Sequence, residues 1–180
     1  MRIRSLLLML LLASINAIAK IPPFVGVKHQ MEAPSEKVRD LVTAAWSHMD
    51  PEKSESEHNY PLAFKLNATA YQQGHPEGAS NIGLLYEKGW GVDQDFDLAE
   101  EWYLKAICGT YHSAQAELGL ARIYLTKPRT EANVKKVVIY IQQAKETAAV
   151  RGSLWEEGRD IYLIEADFLM EELDMGSLIK

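Results

Sequence analysis

The side chains best suited to chemistry are grouped around one polar segment, where His48, Glu55, Glu57 and His58 lie close together in the sequence. Imidazole and carboxylate groups are ligands that zinc accepts. Zinc sites usually hold their ligands at short, regular intervals on a helix or on paired turns, whereas these four residues surround a loop at irregular intervals. The pattern therefore gives little support to a metal site, and we expect no cofactor.

Nucleophilic catalysis would need a serine or cysteine on a tight turn, with a histidine and an acid placed to activate it. The sequence contains no Gly-x-Ser-x-Gly motif, and its single cysteine, Cys108, stands among small and apolar residues where a small buried side chain is expected. The glycines of Gly89-Trp90-Gly91 follow a helical pattern, whereas those of a phosphate-binding loop precede a helix. We therefore expect a protein that is not an enzyme.

The first nineteen residues have the pattern of a cleaved secretory signal peptide. Arg2 and Arg4 precede an apolar run over residues 6–12, and Ala17-Ile18-Ala19 supplies the small residues that signal peptidase requires. The apolar run is shorter than the roughly 20 residues that span a bilayer, and no cysteine follows the cleavage site to carry a lipid. We expect a soluble periplasmic protein whose mature chain begins at Lys20.

The expected mature chain is acidic. Removal of residues 1–19 takes away two arginines and leaves 17 basic against 25 acidic residues, a net charge of −8. This charge disfavours nucleic acid as a partner. A single cysteine cannot close an intramolecular disulfide, so the fold must depend on packing.

A repeat of 38 residues relates Tyr86, Tyr124 and Tyr162. At the same offset, residues of similar size pair as Ile82 with Leu120, Gly83 with Ala121, Leu85 with Ile123, Ala99 with Val137, Trp102 with Tyr140, Tyr103 with Ile141, and Ala106 with Ala144. Repeats of 20–50 residues with apolar positions three and four apart are typical of stacked helical hairpins. One hairpin leaves an apolar face open, which the next hairpin covers.

The clearest unit covers residues 74–109. Its first helix is predicted to begin at Pro76 and to end at the glycines around Trp90, and Asp95 is predicted to cap its second helix. The second helix is expected to bury Leu98, Ala99, Trp102, Tyr103 and Ala106. Small residues such as Gly83 should let the helix axes approach, with Tyr86 and Trp102 filling the neighbouring gaps.

The remaining units are less regular. Residues 20–34 are predicted to be extended, and a weaker unit over 35–73 has helices predicted from Glu36 to His48 and from Tyr60 to Gln72. A further unit covers 110–147, in which Thr130 caps the second helix and a loop without glycine replaces the turn. The sequence thus predicts an all-α fold, with one domain over 35–175 that has about three helical hairpins and a C-terminal capping helix.

The capping helix is predicted over residues 150–173. It is expected to pack through its apolar residues, which are Ile161, Ile164, Phe168 and Leu169. Its acidic residues could bind a cation or a basic partner, although they are more typical of a solvated helix face; they are Glu165, Asp167, Glu171, Glu172 and Asp174.

One segment carries a family resemblance. The string GLLYEKGWGV from Gly83 to Val92, followed by Asp95, Ala99, Trp102-Tyr103 and Lys105-Ala106, resembles a Sel-one-like repeat, a relative of the tetratricopeptide repeat. The resemblance is strong over 74–109, fair over 110–147 and thin over 35–73 and 148–172. It implies a right-handed α/α superhelix whose first helices line a concave face, and a role as an adaptor or assembly factor.

The expected partner is another protein. The positions predicted to be free of stacking, and so available for contact, are Asn81, Leu84, Lys88, Gln115, Arg122, Glu156 and Asp160. Trp90, at a hairpin tip, either seals the next hairpin or contacts the partner.

Two other functions follow from the family's range. An immunity protein that neutralises a phospholipase-type toxin delivered into the periplasm fits the export signal and the acidic chain equally well. Some cysteine-rich secreted relatives are described as binding or slowly hydrolysing penicillin-like compounds. Those relatives lock each hairpin with a disulfide, which a chain with Cys108 alone cannot form.

Overall fold

The computed structural model describes residues 35–107, 112–151 and 156–178, and this part of the chain is entirely helical. It contains seven α-helices and no strand, which confirms the all-α prediction. The helices are α1 Glu36–Ser47, α2 Tyr60–Gln72, α3 Pro76–Lys88, α4 Phe96–Ala106, α5 Ala114–Thr126, α6 Glu131–Arg151 and α7 Glu156–Leu178, with a 3₁₀ turn at Glu55–Glu57. The predicted signal peptide, the 20–34 segment and Cys108 lie outside the described residues.

The helix ends predicted from Pro76, Gly89, Asp95 and Thr130 are confirmed. Pro76 occupies the first position of α3, where its missing N–H donor costs nothing, and Gly89 ends the helix in the left-handed conformation with φ 69°. The Asp95 carboxylate accepts hydrogen bonds from two backbone N–H groups at the start of α4. Thr130 Oγ1 accepts a 3.2 Å hydrogen bond from the backbone N–H of Asn133. Local capping chemistry therefore sets these boundaries.

The 38-residue repeat is maintained although the loop between the two helices of a unit differs in length from one unit to the next. The α3–α4 connection covers residues 89–95, whereas the α5–α6 connection covers only residues 127–130, so α6 begins three residues early in the repeat frame. The earlier start of α6 does not change which repeat positions are buried. Val137, Ile141 and Ala144 are buried, as are Ala99, Tyr103 and Ala106, their partners in the repeat. The second helix is thus lengthened at its N-terminus without a change in the residues that it packs.

The helices form two layers. Each helix packs against the next one along the chain, and α1 also contacts α3, α3 contacts α5, and α5 contacts α7. Over the described residues, no Cα atom of α2 lies within 8 Å of one in α4, and the same holds for α4 and α6; α2 and α4 meet only at their side chains, where the rings of Tyr71 and Trp102 pack edge to face at 5.6 Å. The odd-numbered helices therefore lie side by side, while the even-numbered helices pack on them at a wider spacing. We call the side-by-side set the odd-helix layer.

A buried tyrosine occupies the centre of the best unit. The ring of Tyr103, from α4, lies between Gly83 of α3 and Gly119 of α5, and its side chain is fully buried. A Cβ atom at Gly83 would lie 2.6 Å from Cδ1 of Tyr103, and one at Gly119 would lie 2.3 Å from Cε2. Both distances are too short for any side chain. The two glycines therefore create the space that the aromatic ring fills.

Three details of the predicted packing are wrong. Tyr86 and Trp102 are only partly buried, because Tyr103 rather than either of them fills the space beside the glycines. Leu98 was predicted to be buried but is 36% exposed, because the helical period places it to one side of the buried residues Ala99, Tyr103 and Ala106.

The packing predicted for the last helix is wrong for three of its four residues. Leu169 is buried as expected, together with Ala166 and Leu173, against residues of α5 and α6; the exposed fractions of Ile161, Ile164 and Phe168 are 64%, 70% and 58%. The buried residues lie on one side of α7 and the three exposed residues on the opposite side, because 3.6 residues complete a turn. The helix limits also differ from the predicted 150–173, since α6 continues to Arg151 and α7 covers Glu156–Leu178.

Candidate protein-interaction surface

Asn81 and Gln115 belong to a chain of amide hydrogen bonds that crosses three helices. Asn81 is 2% exposed, and its Nδ2 donates a 3.0 Å hydrogen bond to Oδ1 of the fully buried Asn67 on α2. Gln115 Nε2, on α5, donates a 3.1 Å hydrogen bond to Oδ1 of Asn81. The assumption that these two positions take no part in stacking is therefore wrong, since both connect neighbouring helices. Gln115 is only partly buried, so part of its side chain reaches the surface.

Leu84 also belongs to the interior. It is 9% exposed and packs in a cluster with Met49, Ala63 and Leu85. This cluster joins α3 to α2 and to the residues that follow α1. Leu84 is therefore a stacking residue, contrary to the expectation from the repeat pattern.

Trp90 packs on the preceding helix pair. Its ring stacks on Tyr60 at the start of α2, with a centroid separation of 5.5 Å and an interplanar angle of 18°. Gly91 lies beside the same tyrosine with φ 70°, and a Cβ atom there would lie 2.4 Å from Cβ of Tyr60. The expectation that Trp90 seals the next hairpin is therefore wrong in its direction, because the ring covers the preceding helix pair; its partly exposed edge is the portion available to a partner.

Arg122 lies at the centre of an ionic cluster in the odd-helix layer. Its Nε and Nη2 donate hydrogen bonds of 2.8 and 2.7 Å to the two carboxylate oxygens of Glu87 on α3, a bidentate geometry. Its Nη1 donates to Oε1 of Glu165 on α7. Tyr103 donates a 2.6 Å hydrogen bond to Glu87 Oε2, and Lys88 Nζ lies 2.9 Å from Glu87 Oε1. Arg122 is therefore needed for stacking, and Lys88 is the exposed edge of the cluster.

The electrostatics of the cluster favour its charged form. Burial by itself would raise the pKa of Glu87, but the hydrogen bonds and the positive charge of Arg122 outweigh that effect, and the pKa falls from 4.5 to about 2. The hydrogen bonds from Tyr103 and Lys88 act in the same direction. Burial would lower the pKa of Arg122, but Glu87 and Glu165 keep it above the ordinary value. Burial and the neighbouring carboxylate together raise the pKa of Tyr103 well above 10. With these pKa shifts, Glu87 and Arg122 both stay charged near neutral pH and form an ion pair, and neither acts as a proton donor.

A second ionic group joins α4, α5 and α6. Glu100 accepts hydrogen bonds from the hydroxyl of Tyr124 and from Nζ of Lys127, and Lys136 Nζ lies 2.6 Å from the same hydroxyl. Burial, together with the Glu100 carboxylate, raises the pKa of Tyr124 to about 12. Both ionic groups therefore hold helices together.

The residues considered for a metal site instead support their own loop. His58 Nε2 lies 2.9 Å from the backbone oxygen of Asp50, and its Nδ1 lies 2.8 Å from the hydroxyl of Tyr60. The Glu57 carboxylate accepts hydrogen bonds from the backbone and side chain of Ser54, in a capping box. Across the described ranges, no group of three or more potential metal ligands occurs.

The remaining predicted residues lie on α7. Asp160 is exposed, and Glu156 begins the helix, with its side chain outside the described part of the structure. Ile161, Ile164 and Phe168 form an exposed apolar stripe on the same helix, which we call the outer face of α7. Sequence reasoning identified these three residues but assigned them to the core. The signal that separates them from Ala166, Leu169 and Leu173 is the helical period itself, which divides the apolar residues of α7 into two faces.

Neither a protein-family model nor a curated protein matches this sequence. Within the described residues, no helix has the length and apolar character needed to cross a membrane.

Proposed function

We propose that this protein is an exported helical-repeat module of the Sel-one-like type, which binds another protein in the periplasm as an adaptor or assembly factor. In this proposal the helices form about three hairpins and a capping helix in a right-handed superhelix. The observation that carries the proposal is the odd-helix layer, in which α1, α3, α5 and α7 lie side by side. Such a layer presents side chains from successive helices on one extended surface, which suits a protein partner.

Four of the predicted contact residues stay at least partly exposed on this layer, and all four are polar or charged. Lys88 and Asp160 are exposed, and Gln115 and Arg122 are partly exposed. Arg122 is held by Glu87 and Glu165, so its position is fixed before a partner binds. A preorganised surface with both signs of charge favours a specific partner, because fewer side chains must be ordered on binding.

Affinity capture from the periplasm of the native host tests this proposal. The tagged mature protein is compared with the double variant Lys88→Glu/Asp160→Lys, which reverses two exposed charges on odd-numbered helices. Glu101→Lys, on the exposed side of α4, is the matched control because it reverses an exposed charge on an even-numbered helix. We expect one protein to be captured by the wild type and by the control, and to be lost from the double variant.

Two results would count against the proposal: no protein captured in stoichiometric amount, or a captured protein that both charge variants retain. The same experiment separates the adaptor from the immunity protein. The captured protein is produced alone in the periplasm and then together with the wild type. Toxicity that coproduction abolishes would assign the immunity role, whereas a harmless captured protein supports the adaptor role.

A further inference from the structure

The last helix has two apolar faces, and the described part of the chain covers only one of them. Ala166, Leu169 and Leu173 pack against α5 and α6, while the outer face, Ile161, Ile164 and Phe168, lies open on the opposite side. The three exposed residues are spaced three and four positions apart, so they form one stripe about two turns long. Exposed apolar side chains elsewhere in the described structure, such as Phe96 and Leu104, do not form a stripe of three on one helix.

The charges around this stripe select the kind of partner. Between residues 156 and 178 the sequence has eight acidic residues and a single basic one, Arg159. Among these acids, Glu165 pairs with Arg122 and Asp167 pairs with Lys145. Glu171 and Glu172 are exposed, and the helical period places them one on each side of the stripe. An apolar stripe with an acidic rim complements a helix that has an apolar stripe and a basic rim.

The same charges argue against a second copy of this chain. Two outer faces packed together would bring the acidic rims of both copies into one contact, which costs free energy.

We infer that the outer face of α7 binds an amphipathic helix with basic flanks from the partner protein, a helix that continues the stack beyond α7. This inference rests on the proposed function, and it names the chemistry of the partner and the helix that receives it. The apolar contact comes from Ile161, Ile164 and Phe168. The preference for a helix with basic flanks comes from Glu171 and Glu172.

The test uses a synthetic peptide of about 18 residues, long enough to form a helix, with leucines on one face and lysines elsewhere. Its binding to the mature protein is measured by fluorescence anisotropy at low salt. We expect Ile164→Lys to weaken binding at least tenfold. Leu104→Lys, which changes an exposed apolar residue on α4, is the matched control and should leave the affinity unchanged. Ile164 is 70% exposed, so the variant should fold, and circular dichroism checks this.

Two further peptides separate the apolar and charge contributions. A scrambled peptide of the same composition lacks the continuous apolar face, and a second peptide carries glutamates in place of the lysines. Both should bind at least tenfold more weakly than the first peptide. Equal binding of the scrambled peptide, or an affinity that Ile164→Lys does not change, would overturn the inference. So would a dimer of the wild type, seen by analytical ultracentrifugation and lost in Ile164→Lys, because the occupant would then be a second copy.

Capture from the periplasm distinguishes a failure of the inference about the outer face of α7 from a failure of the proposed function. A partner that Ile164→Lys still captures, but Lys88→Glu/Asp160→Lys does not, would leave the proposed function standing and refute the role of the outer face. Selective peptide binding without any captured protein would support the outer face as a docking site and count against the adaptor role.

Discussion

The hydroxyl of Tyr103 donates a 2.6 Å hydrogen bond to Oε2 of Glu87. The same oxygen accepts a second hydrogen bond, from Nη2 of Arg122. Tyr103 comes from α4, Glu87 from α3 and Arg122 from α5, and Arg122 continues to Glu165 on α7. Four helices are thus joined by one ionic cluster. Because buried charged groups require specific partners, the cluster favours one relative position of these helices over others.

Removal of the Tyr103 hydroxyl should destabilise the protein. In Tyr103→Phe the ring still fills the space between Gly83 and Gly119, but Glu87 loses one hydrogen-bond donor while it stays buried. We expect the free energy of unfolding to fall by about 1–3 kcal/mol, measured by urea denaturation.

Tyr86→Phe is the matched control for that change. Its ring packs edge-on against Phe64, and its hydroxyl makes no hydrogen bond with another described residue. The control should change the free energy of unfolding by less than about 0.5 kcal/mol. Equal losses in the two variants would mean that the hydrogen bond to Glu87 contributes nothing of its own.

The contact between Gly119 and the Tyr103 ring predicts strong coupling between these residues. The new methyl group in Gly119→Ala would lie 2.3 Å from Cε2 of the ring, which is fully buried and cannot move aside freely. We expect a loss of about 1–3 kcal/mol in the free energy of unfolding. In the Tyr103→Leu background the ring is absent, so the same alanine should cost at least about 1 kcal/mol less. An additive double variant would contradict this packing.

Local signals made much of the helix pattern predictable. Pro76, Gly89 and Asp95 act on backbone groups within a few residues of themselves, so their sequence positions are enough to locate the ends of α3 and the start of α4. The 38-residue repeat likewise predicted the burial of Val137 and Ile141, because a repeat preserves side-chain size at the contacts between helices.

Contacts between distant segments were not predictable in the same way. Glu87 and Arg122 are 35 residues apart, and nothing in either local pattern distinguishes a buried ion pair from two solvated charges. Asn81 was assigned to the surface because the repeat pattern gave it no role in stacking, whereas its side-chain amide forms hydrogen bonds with the amides of Asn67 and Gln115 inside the stack. The face of α7 that packs was also ambiguous, because both faces are apolar and only the position of the helix against α5 and α6 decides between them.

The amide chain gives a test that separates stacking residues from surface residues on α3. Asn81→Ala would leave the buried amide of Asn67 without its donor and Gln115 Nε2 without its acceptor. The free energy of unfolding should fall by about 2 kcal/mol, measured by urea denaturation. Lys88→Ala, on the exposed end of the same helix, should stay within about 0.5 kcal/mol of the wild type. If Lys88→Ala lost as much stability as Asn81→Ala, the exposure of a side chain on α3 would not distinguish stacking residues from surface residues.

The Glu87–Arg122 pair predicts how stability depends on pH. The pKa of Glu87 is about 2 in the folded protein against an ordinary 4.5, so its contribution is fully present above pH 4.5 and is lost as the pH falls towards 2. A pKa difference of that size corresponds to about 3 kcal/mol, of which about 2 kcal/mol is lost between pH 5 and pH 3.

Glu87→Gln removes this titration, so the free energy of unfolding of that variant should fall less steeply with acid over the same range, as measured by urea denaturation at each pH. Glu171→Gln, which changes an exposed carboxyl of α7, should follow the steeper curve of the wild type. Glu87→Gln should also be less stable than the wild type at neutral pH, because Arg122 then faces a neutral amide in place of a buried carboxylate. Parallel curves for the wild type and Glu87→Gln would mean that the partners of Glu87 do not lower its pKa.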